Sequence, residues 1–247
     1  MKAADTIPEE EIRVILRTAD EIIAQGGRTL LAKILKGSRE KKIIELHLNQ
    51  CAGYGYFNSL SIKEITAKID WLIDYDFLDI EYSGKLPMIV FTDRGWMIER
   101  DQMTKELLVE WNQWLEQEKQ TPDMSYLKDR NRGMIMLFLE KIRETRNPLY
   151  ISYLEAWEKG DYKKVRVEIR KTIEALRLSD ELDIHSVRVR NEAINEALVG
   201  SAPQDLLLKC WVCGERFPFT TGEQQFYKQK GFVHPKRCKE CREAEFC

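Results

Sequence analysis

Between residues 9 and 23 the apolar side chains Ile12, Ile15, Leu16, Ala19, Ile22 and Ile23 recur every three or four positions, which predicts a helix with one apolar face. Thr6-Ile-Pro8-Glu9 opens it, with Pro8 expected at the first helical position and Glu9 in capping-box spacing from Thr6; Gly26-Gly27 stops it. A second, shorter helix over residues 29 to 36 buries Leu30, Leu31, Ile34 and Leu35 and ends at Gly37, after which Ser38 is placed to cap a third. Residues 49 to 58 read as loop. Ser61-Ile-Lys-Glu64 then opens a capped helix whose apolar stripe is Ile62, Ile65, Ile69, Leu72 and Ile73, with Lys63, Thr66 and Lys68 facing outward.

The apolar period next falls from 3.6 to 2. Residues 77 to 82 and 88 to 92 are β-prone alternating runs around Ser83-Gly84-Lys85, the pattern of a hairpin. Thr92-Asp-Arg-Gly95 leads into a long helix through Trp111 and Trp114 that is expected to end near Thr121-Pro122. Helices followed by a capped helix and a hairpin make a winged helix, in which the capped helix is the recognition element and the hairpin the wing. Residues 128 to 199 read as all helix, interrupted at Asn147-Pro148 and Gly160-Asp161, with Trp111, Trp114, Trp157 and the apolar run 134 to 139 as core; residues 199 to 204 read as a linker. The expected fold class is therefore mostly α: a winged-helix domain with a β-hairpin wing over 1–105, an all-helical middle domain over 106–200, and a small C-terminal zinc ribbon over 206–247.

That last element rests on chemistry rather than periodicity. Cys210-Trp-Val-Cys213 and Cys238-Lys-Glu-Cys241 are two C-x-x-C pairs, and four thiolates at this spacing converge on one tetrahedral Zn2+. Gly214 directly after Cys213 supplies the backbone freedom that a knuckle uses. Iron in an all-cysteine cage, or His234 in place of one sulfur, is chemically compatible with the same spacing. Cys51 and Cys247 are left over. Four of six cysteines in metal spacing suit a reducing compartment, and the N-terminus Met-Lys-Ala-Ala-Asp-Thr-Ile-Pro lacks the apolar stretch of a signal peptide. With no apolar run near membrane-spanning length, the expectation is a cytoplasmic protein with no membrane partner.

A net charge of −2 hides its distribution. Residues 28 to 42 carry 6 Lys/Arg against 1 acidic residue, and residues 206 to 247 carry 8 against 5. Local basic surfaces of this kind suit a polyanion. Lys36, Ser38, Arg39, Lys41 and Lys42 in particular can form a phosphate clamp, with a solvated helix cap as the plain structural reading of the same residues. The outward face of the capped helix offers Lys63, Thr66 and Lys68 but no Arg, Asn or Gln for bidentate base reading, so backbone- or shape-directed contact is expected rather than sequence readout. Tyr54, Tyr56 and Phe57 either stack on a base or pack their loop onto the core.

The run Ile34-Leu-Lys36-Gly37-Ser38-Arg-Glu-Lys-Lys42, followed by Gly53-Tyr-Gly-Tyr-Phe57, the capped helix, the hairpin and Thr92 to Gly95, resembles the RQC domain, the winged helix that follows the motor in RecQ-type helicases. The resemblance covers about residues 8 to 103. It implies DNA binding, with Lys36, Ser38 and Lys42 at phosphate-contacting positions and Lys85 at the wing tip. That tip, Ser83-Gly84-Lys85, lacks the aromatic wedge of strand-separating members, and no G-x-x-x-x-G-K-[ST] loop is present to drive an ATP motor. The C-terminal segment is similar to a small probable zinc-ribbon family through Cys-x-x-Cys-Gly, Phe219-Thr-Thr-Gly-Glu-Gln224, residues 226 to 232 and Pro235-Lys-Arg-Cys-x-x-Cys-Arg242.

Together the two halves resemble the stand-alone, helicase-free RQC-type DNA-binding proteins of bacteria. No catalytic motif appears, so a non-enzymatic DNA-binding protein is expected. Its candidate contacts are Lys36, Ser38, Arg39, Lys42, Lys63, Thr66, Lys68 and Lys85, joined in the ribbon by Lys228, Lys230, Lys236 and Arg237. DNA repair or replication is the implied setting, and a helicase or other nucleic-acid machine the implied class of partner. The rival reading is a protein- or RNA-interaction adaptor docking on such a machine.

Overall fold

The computed structural model describes residues 7–119, 122–178 and 183–243. These fall into two compact units, one formed by residues 1–96 with 198–247 and the other by 97–197.

The first unit begins with α1 (Glu9–Asp20), α2 (Arg28–Lys36) and the short α3 (Lys41–Glu45), followed by α4 (Ile62–Asp74). Their apolar stripes meet: Ile15, Leu16, Leu31, Ile34, Leu35, Ile65, Ile69 and Leu72 are all fully buried, and α2 packs against both α1 and α4. Burying a Leu or Ile side chain contributes about 1.5–3 kcal/mol each, so this cluster is what holds the helices together. Pro8 is the N-cap of α1 rather than its first helical residue, with no side-chain cap bond, and Thr6 lies outside the described residues. The cap of α4 forms as the spacing requires: Ser61 Oγ accepts from the Glu64 N–H while the Glu64 carboxylate accepts from the Ser61 N–H.

Strands β1 (Leu78–Ser83) and β2 (Leu86–Phe91) pair antiparallel, from Leu78 opposite Phe91 to Ser83 opposite Leu86, leaving Gly84-Lys85 as the turn. Helix α5 (Asp93–Glu116) follows directly. Thr92 ties this exit together. Its hydroxyl donates to the Asp76 carbonyl at 2.6 Å and accepts from the Gly95 N–H at 3.1 Å. A β-carbon on Gly95 would lie 2.1 Å from the Phe77 carbonyl oxygen, so only glycine fits where the helix start presses on the strand start.

The second unit contains most of α5, then α6 (Arg132–Thr145), α7 (Ile151–Glu158), α8 (Lys163–Leu178) and α9 (Ile184–Val199). Helix α5 ends before the Thr121-Pro122 stop expected from sequence, of which Thr121 lies outside the described residues. Trp111, Phe138, Tyr150, Tyr153 and Trp157 form an aromatic core, with Trp111 edge-on to Phe138 at 4.9 Å between ring centroids. Its polar edges are matched: Trp111 Nε1 donates to the Tyr126 hydroxyl, and Trp157 Nε1 to Asp161. The buried Asp101 is paired there, with Lys141 Nζ 2.5 Å from its Oδ1 and the more exposed Lys105 Nζ 2.8 Å from its Oδ2. Burial alone would raise the Asp101 pKa, but the hydrogen bonds from Lys105 and Lys141 outweigh it and hold the carboxyl below its usual range.

The chain then re-enters the first unit. Ser201 N–H donates to the Tyr75 carbonyl at 2.9 Å, fastening the linker beside the end of α4. Beyond it lie the hairpin β3 (Leu206–Lys209) and β4 (Arg216–Phe219), then α10 (Thr221–Lys230) and α11 (Lys239–Glu243). None of the described helices is long and apolar enough to cross a membrane.

Candidate nucleic-acid interface and metal centre

The basic turn between α2 and α3 is held from three directions. Gly37 caps α2 in the left-handed region at φ +80°, its N–H bonding to the Ile34 carbonyl while the Ser38 N–H reaches Lys33 O. The loop at residues 53 to 58 lies against it. Gly55 N–H donates to Ile34 O and Phe57 N–H to Leu35 O, and the Tyr54 hydroxyl is placed to donate to the carbonyls of Gly37 (3.0 Å) and Ser38 (3.1 Å). A side chain at Gly37 would press on Gly55 Cα at 3.1 Å, so the two glycines let the segments touch.

On this turn Lys36 Nζ donates to the Asn58 carbonyl at 2.5 Å, which aims an otherwise flexible ammonium. Ser38 is not the N-cap of α3, contrary to expectation. That position belongs to Glu40, because the chain needs two more residues to leave the Gly37 turn before α3 starts. The Ser38 hydroxyl accepts from the Glu40 N–H at 3.3 Å and keeps its own proton available for an acceptor. Glu40 pairs with Lys33 at 2.7 Å and Lys41 with Glu45 at 3.5 Å. Arg39 and Lys42 are exposed and form no ion pair among the described residues, and the same holds for Lys63 on α4 and Lys85 on the wing tip.

Two residues of the outer face of α4 are otherwise engaged. Lys68 Nζ lies 2.5 Å from Glu11 of α1 and 5.6 Å from the Phe57 ring centroid, so its charge is compensated within the fold. The Thr66 hydroxyl donates to the Ile62 carbonyl one turn back. Of the loop aromatics, Phe57 is buried, Tyr54 braces the turn, and Tyr56 is exposed with its hydroxyl on Glu10. The brace role of Tyr54 escaped sequence reasoning, since its place between Gly53 and Gly55 was the sole signal.

The four cysteines converge. Their sulfurs all lie within 4.8 Å of one another, and Cys213 Sγ is 3.9 Å from Cys238 Sγ. A tetrahedron with Zn–S bonds of about 2.3 Å has S···S edges of roughly 3.8 Å, so the site fits Zn2+. Cys210 and Cys213 come from the knuckle after β3, closed by Gly214 at φ +78° whose N–H bonds to the Cys210 carbonyl. Cys238 and Cys241 flank and enter the first turn of α11. The N–H of Cys238 points at Cys210 Sγ from 3.4 Å and draws that thiol down to about 6, toward the thiolate a metal needs. Cys247 lies outside the described residues, and Cys51 sits far along the chain in the Gly53 loop.

This metal module is not free of the wing. Lys228 of α10 pairs with Asp79 of β1 at 2.7 Å, and Gln225 donates to Asp74 at the end of α4. Tyr82 of β1 reaches the Lys228 carbonyl at 3.3 Å, and a β-carbon on Gly231 would lie 2.8 Å from the Tyr82 ring. Burial beside Asp70 raises the Asp74 pKa, desolvation being the larger cause. Of the ribbon cations expected at DNA, Lys228 is therefore engaged in holding α10 to the wing.

Fold and site thus define a winged-helix protein with an attached four-thiolate zinc module. Residues 8–112 match the RQC domain and residues 204–246 the Probable treble clef domain, and the chain carries both. The second match refines the expected ribbon, in keeping with a second cysteine pair that rises from a helix start. The chain is also similar to the ATP-dependent DNA helicase RecQ of Bacillus subtilis (strain 168), at 28% identity over 85 residues. That stretch is 34% of this chain and 14% of the helicase. No solved structure matches the chain. An RQC domain is a DNA-binding domain, and both matched domains fit a nucleic-acid-binding role.

Proposed function

We propose that this is a non-catalytic, cytoplasmic DNA-binding protein that grips the phosphate backbone of duplex or structured DNA through its winged helix. The observation that carries this reading is the braced α2–α3 turn, where Lys36 is aimed by Asn58, Ser38 keeps a hydroxyl proton to donate, and Arg39 and Lys42 stand exposed beside them. Phosphate contacts need cations that are not neutralised, and the Asn58 carbonyl holds Lys36 in place for one. Lys63 and Lys85 extend the contact along α4 and the wing. Thr66 offers lone pairs only, and Lys68 joins only by releasing Glu11. The zinc module adds a second cationic surface.

The similarity to RecQ over 85 residues supports a setting in DNA repair or replication, alongside a helicase or related machine. The buried Asp101–Lys141 pair supports a structural helical unit, since its charges satisfy each other, and His185 is exposed on α9 with Arg188 as its neighbour.

Fluorescence anisotropy of the zinc-loaded chain on duplex, forked and single-stranded DNA and on duplex RNA, across a salt series, tests the reading. Affinity for duplex or forked DNA is expected to fall steeply with salt. A Lys36→Ala/Lys42→Ala variant is expected to bind more weakly with a slope shallower by about two. A parent that binds no DNA, or a variant that matches the parent, overturns the clamp and favours a protein- or RNA-adaptor role.

A further inference from the structure

Trp211 is 73% exposed at the tip of the knuckle, between the zinc ligands Cys210 and Cys213, and its neighbour Val212 is 60% exposed. Leaving the largest apolar side chain in water forgoes the burial that usually holds a small module together, and a rigid knuckle is a costly place for it unless the ring meets something. The backbone that presents the ring is held in place. The Trp211 main-chain N–H donates to the Lys236 carbonyl at 2.9 Å, the Cys210 main-chain N–H donates to the Glu215 carbonyl at 2.8 Å, and the cysteines at both ends of the dipeptide turn their sulfurs into the four-thiolate cluster. Lys236 also places its ammonium 4.6 Å from the Trp211 ring centroid. Lys236, Arg237, Lys239 and Arg242 follow one another within a few residues, with Glu240 and Glu243 among them, Glu243 lying 4.0 Å from Lys239.

We propose that Trp211 and Lys236 form a stacking site for an unpaired nucleobase, the ring taking the base and the ammonium the adjoining phosphate. An exposed aromatic face beside an ammonium is complementary to a single strand, which presents π faces and negative charge in alternation. An apolar protein surface would match the ring but leave the cations beside it unused. The inference rests on the DNA-binding reading above and narrows it. The module is held to the wing through Lys228–Asp79, Gln225–Asp74 and the seat of Tyr82 on Gly231, so the platform belongs to the same compact unit as the phosphate-gripping turn. The ligand it selects is a duplex that carries a single-stranded extension.

The test compares a blunt duplex, the same duplex with an oligo-dT overhang, and oligo-dT alone, using the zinc-loaded full chain and variants whose zinc content is measured. The parent is expected to bind the overhang duplex more tightly than the blunt one. Trp211→Ala should lose about tenfold on the overhang duplex and on oligo-dT while leaving the blunt duplex unchanged, and Trp211→Phe should retain most of the affinity. Lys236→Gln should make the salt slope shallower by about one on the overhang duplex and on oligo-dT alike. A 2-aminopurine placed in the overhang should be quenched on binding to the parent, a readout that stands even where the alanine variant loses zinc.

No gain from the overhang, no quenching, or equal binding by Trp211→Ala with full zinc overturns the site and leaves Trp211 to a protein contact. Failure of the phosphate clamp is separately visible. In that case the blunt duplex does not bind, while oligo-dT still binds in a Trp211-dependent way.

Discussion

Residues 7–96 and residues 204–243 reach a folded state by different means. In the first region Ile15, Leu16, Leu31, Ile34, Leu35, Ile65, Ile69, Leu72 and Phe77 are fully buried, one apolar stripe against another. In the second, among the described residues, Cys210, Phe219 and Cys238 are buried, while Trp211, Val212, Phe226, Phe232 and Val233 remain exposed. Burying one Phe contributes about 1.5–3 kcal/mol, whereas ordering the backbone costs about 1–2 kcal/mol per residue over roughly forty residues. The second region cannot fold on apolar burial. Its order comes from the metal and from the wing it leans on, and that frees its aromatic side chains for contact with something else.

The largest effect should come from removing the metal. Chelation, or Cys210→Ser, is expected to abolish the order of residues 204–243, with a loss on the order of 10 kcal/mol, while the helical signal of the rest persists. Amide exchange resolved by segment would show it, and cooperative loss of α1 to α4 would mean the two regions fold as one. Next in size, Leu72→Ala should cost about 2–5 kcal/mol in urea unfolding without changing zinc stoichiometry, because it opens a cavity in the apolar region alone. Gly95→Ala forces a methyl group onto the Phe77 carbonyl oxygen, and is expected to cost about 1–3 kcal/mol and to loosen the wing. Smallest is Lys228→Ala. Both partners of its pair with Asp79 are partly exposed, so the stability change should stay under about 1 kcal/mol, with faster amide exchange at Tyr82 as the more sensitive measure.

The same contrast explains what could be read in advance. The helices of the first region were legible because burial imposes a 3.6 period on Ile65, Ile69, Leu72 and Ile73, and Ser61-Ile-Lys-Glu64 states its own cap. The metal site was legible because C-x-x-C is a local geometric requirement. Lys36, Arg39 and Lys42 were legible as a basic run, but the fate of each cation was not. Whether a lysine meets a carboxylate depends on a residue far along the chain: Glu11 reaches Lys68, and Asp79 reaches Lys228, across sequence separations that no local pattern encodes. Ser38 missed its cap for a similar reason, since Gly37 turns the chain and α3 begins only after Glu40.

By itself, then, the sequence determined the element types, the winged-helix order and the four zinc ligands, all consequences of short-range periodicity, capping and ligand spacing. Tertiary structure alone decided that Tyr54 braces the basic α2–α3 turn, that the chain returns after α9 to set its zinc module against the wing, and that Trp211 is left exposed beside Lys236. The physical reason is range. Hydrophobic period and cap chemistry act within a few residues, whereas the pairing of charges, the seating of Tyr82 on Gly231 and the exposure of a ring depend on which distant surfaces close packing brings together.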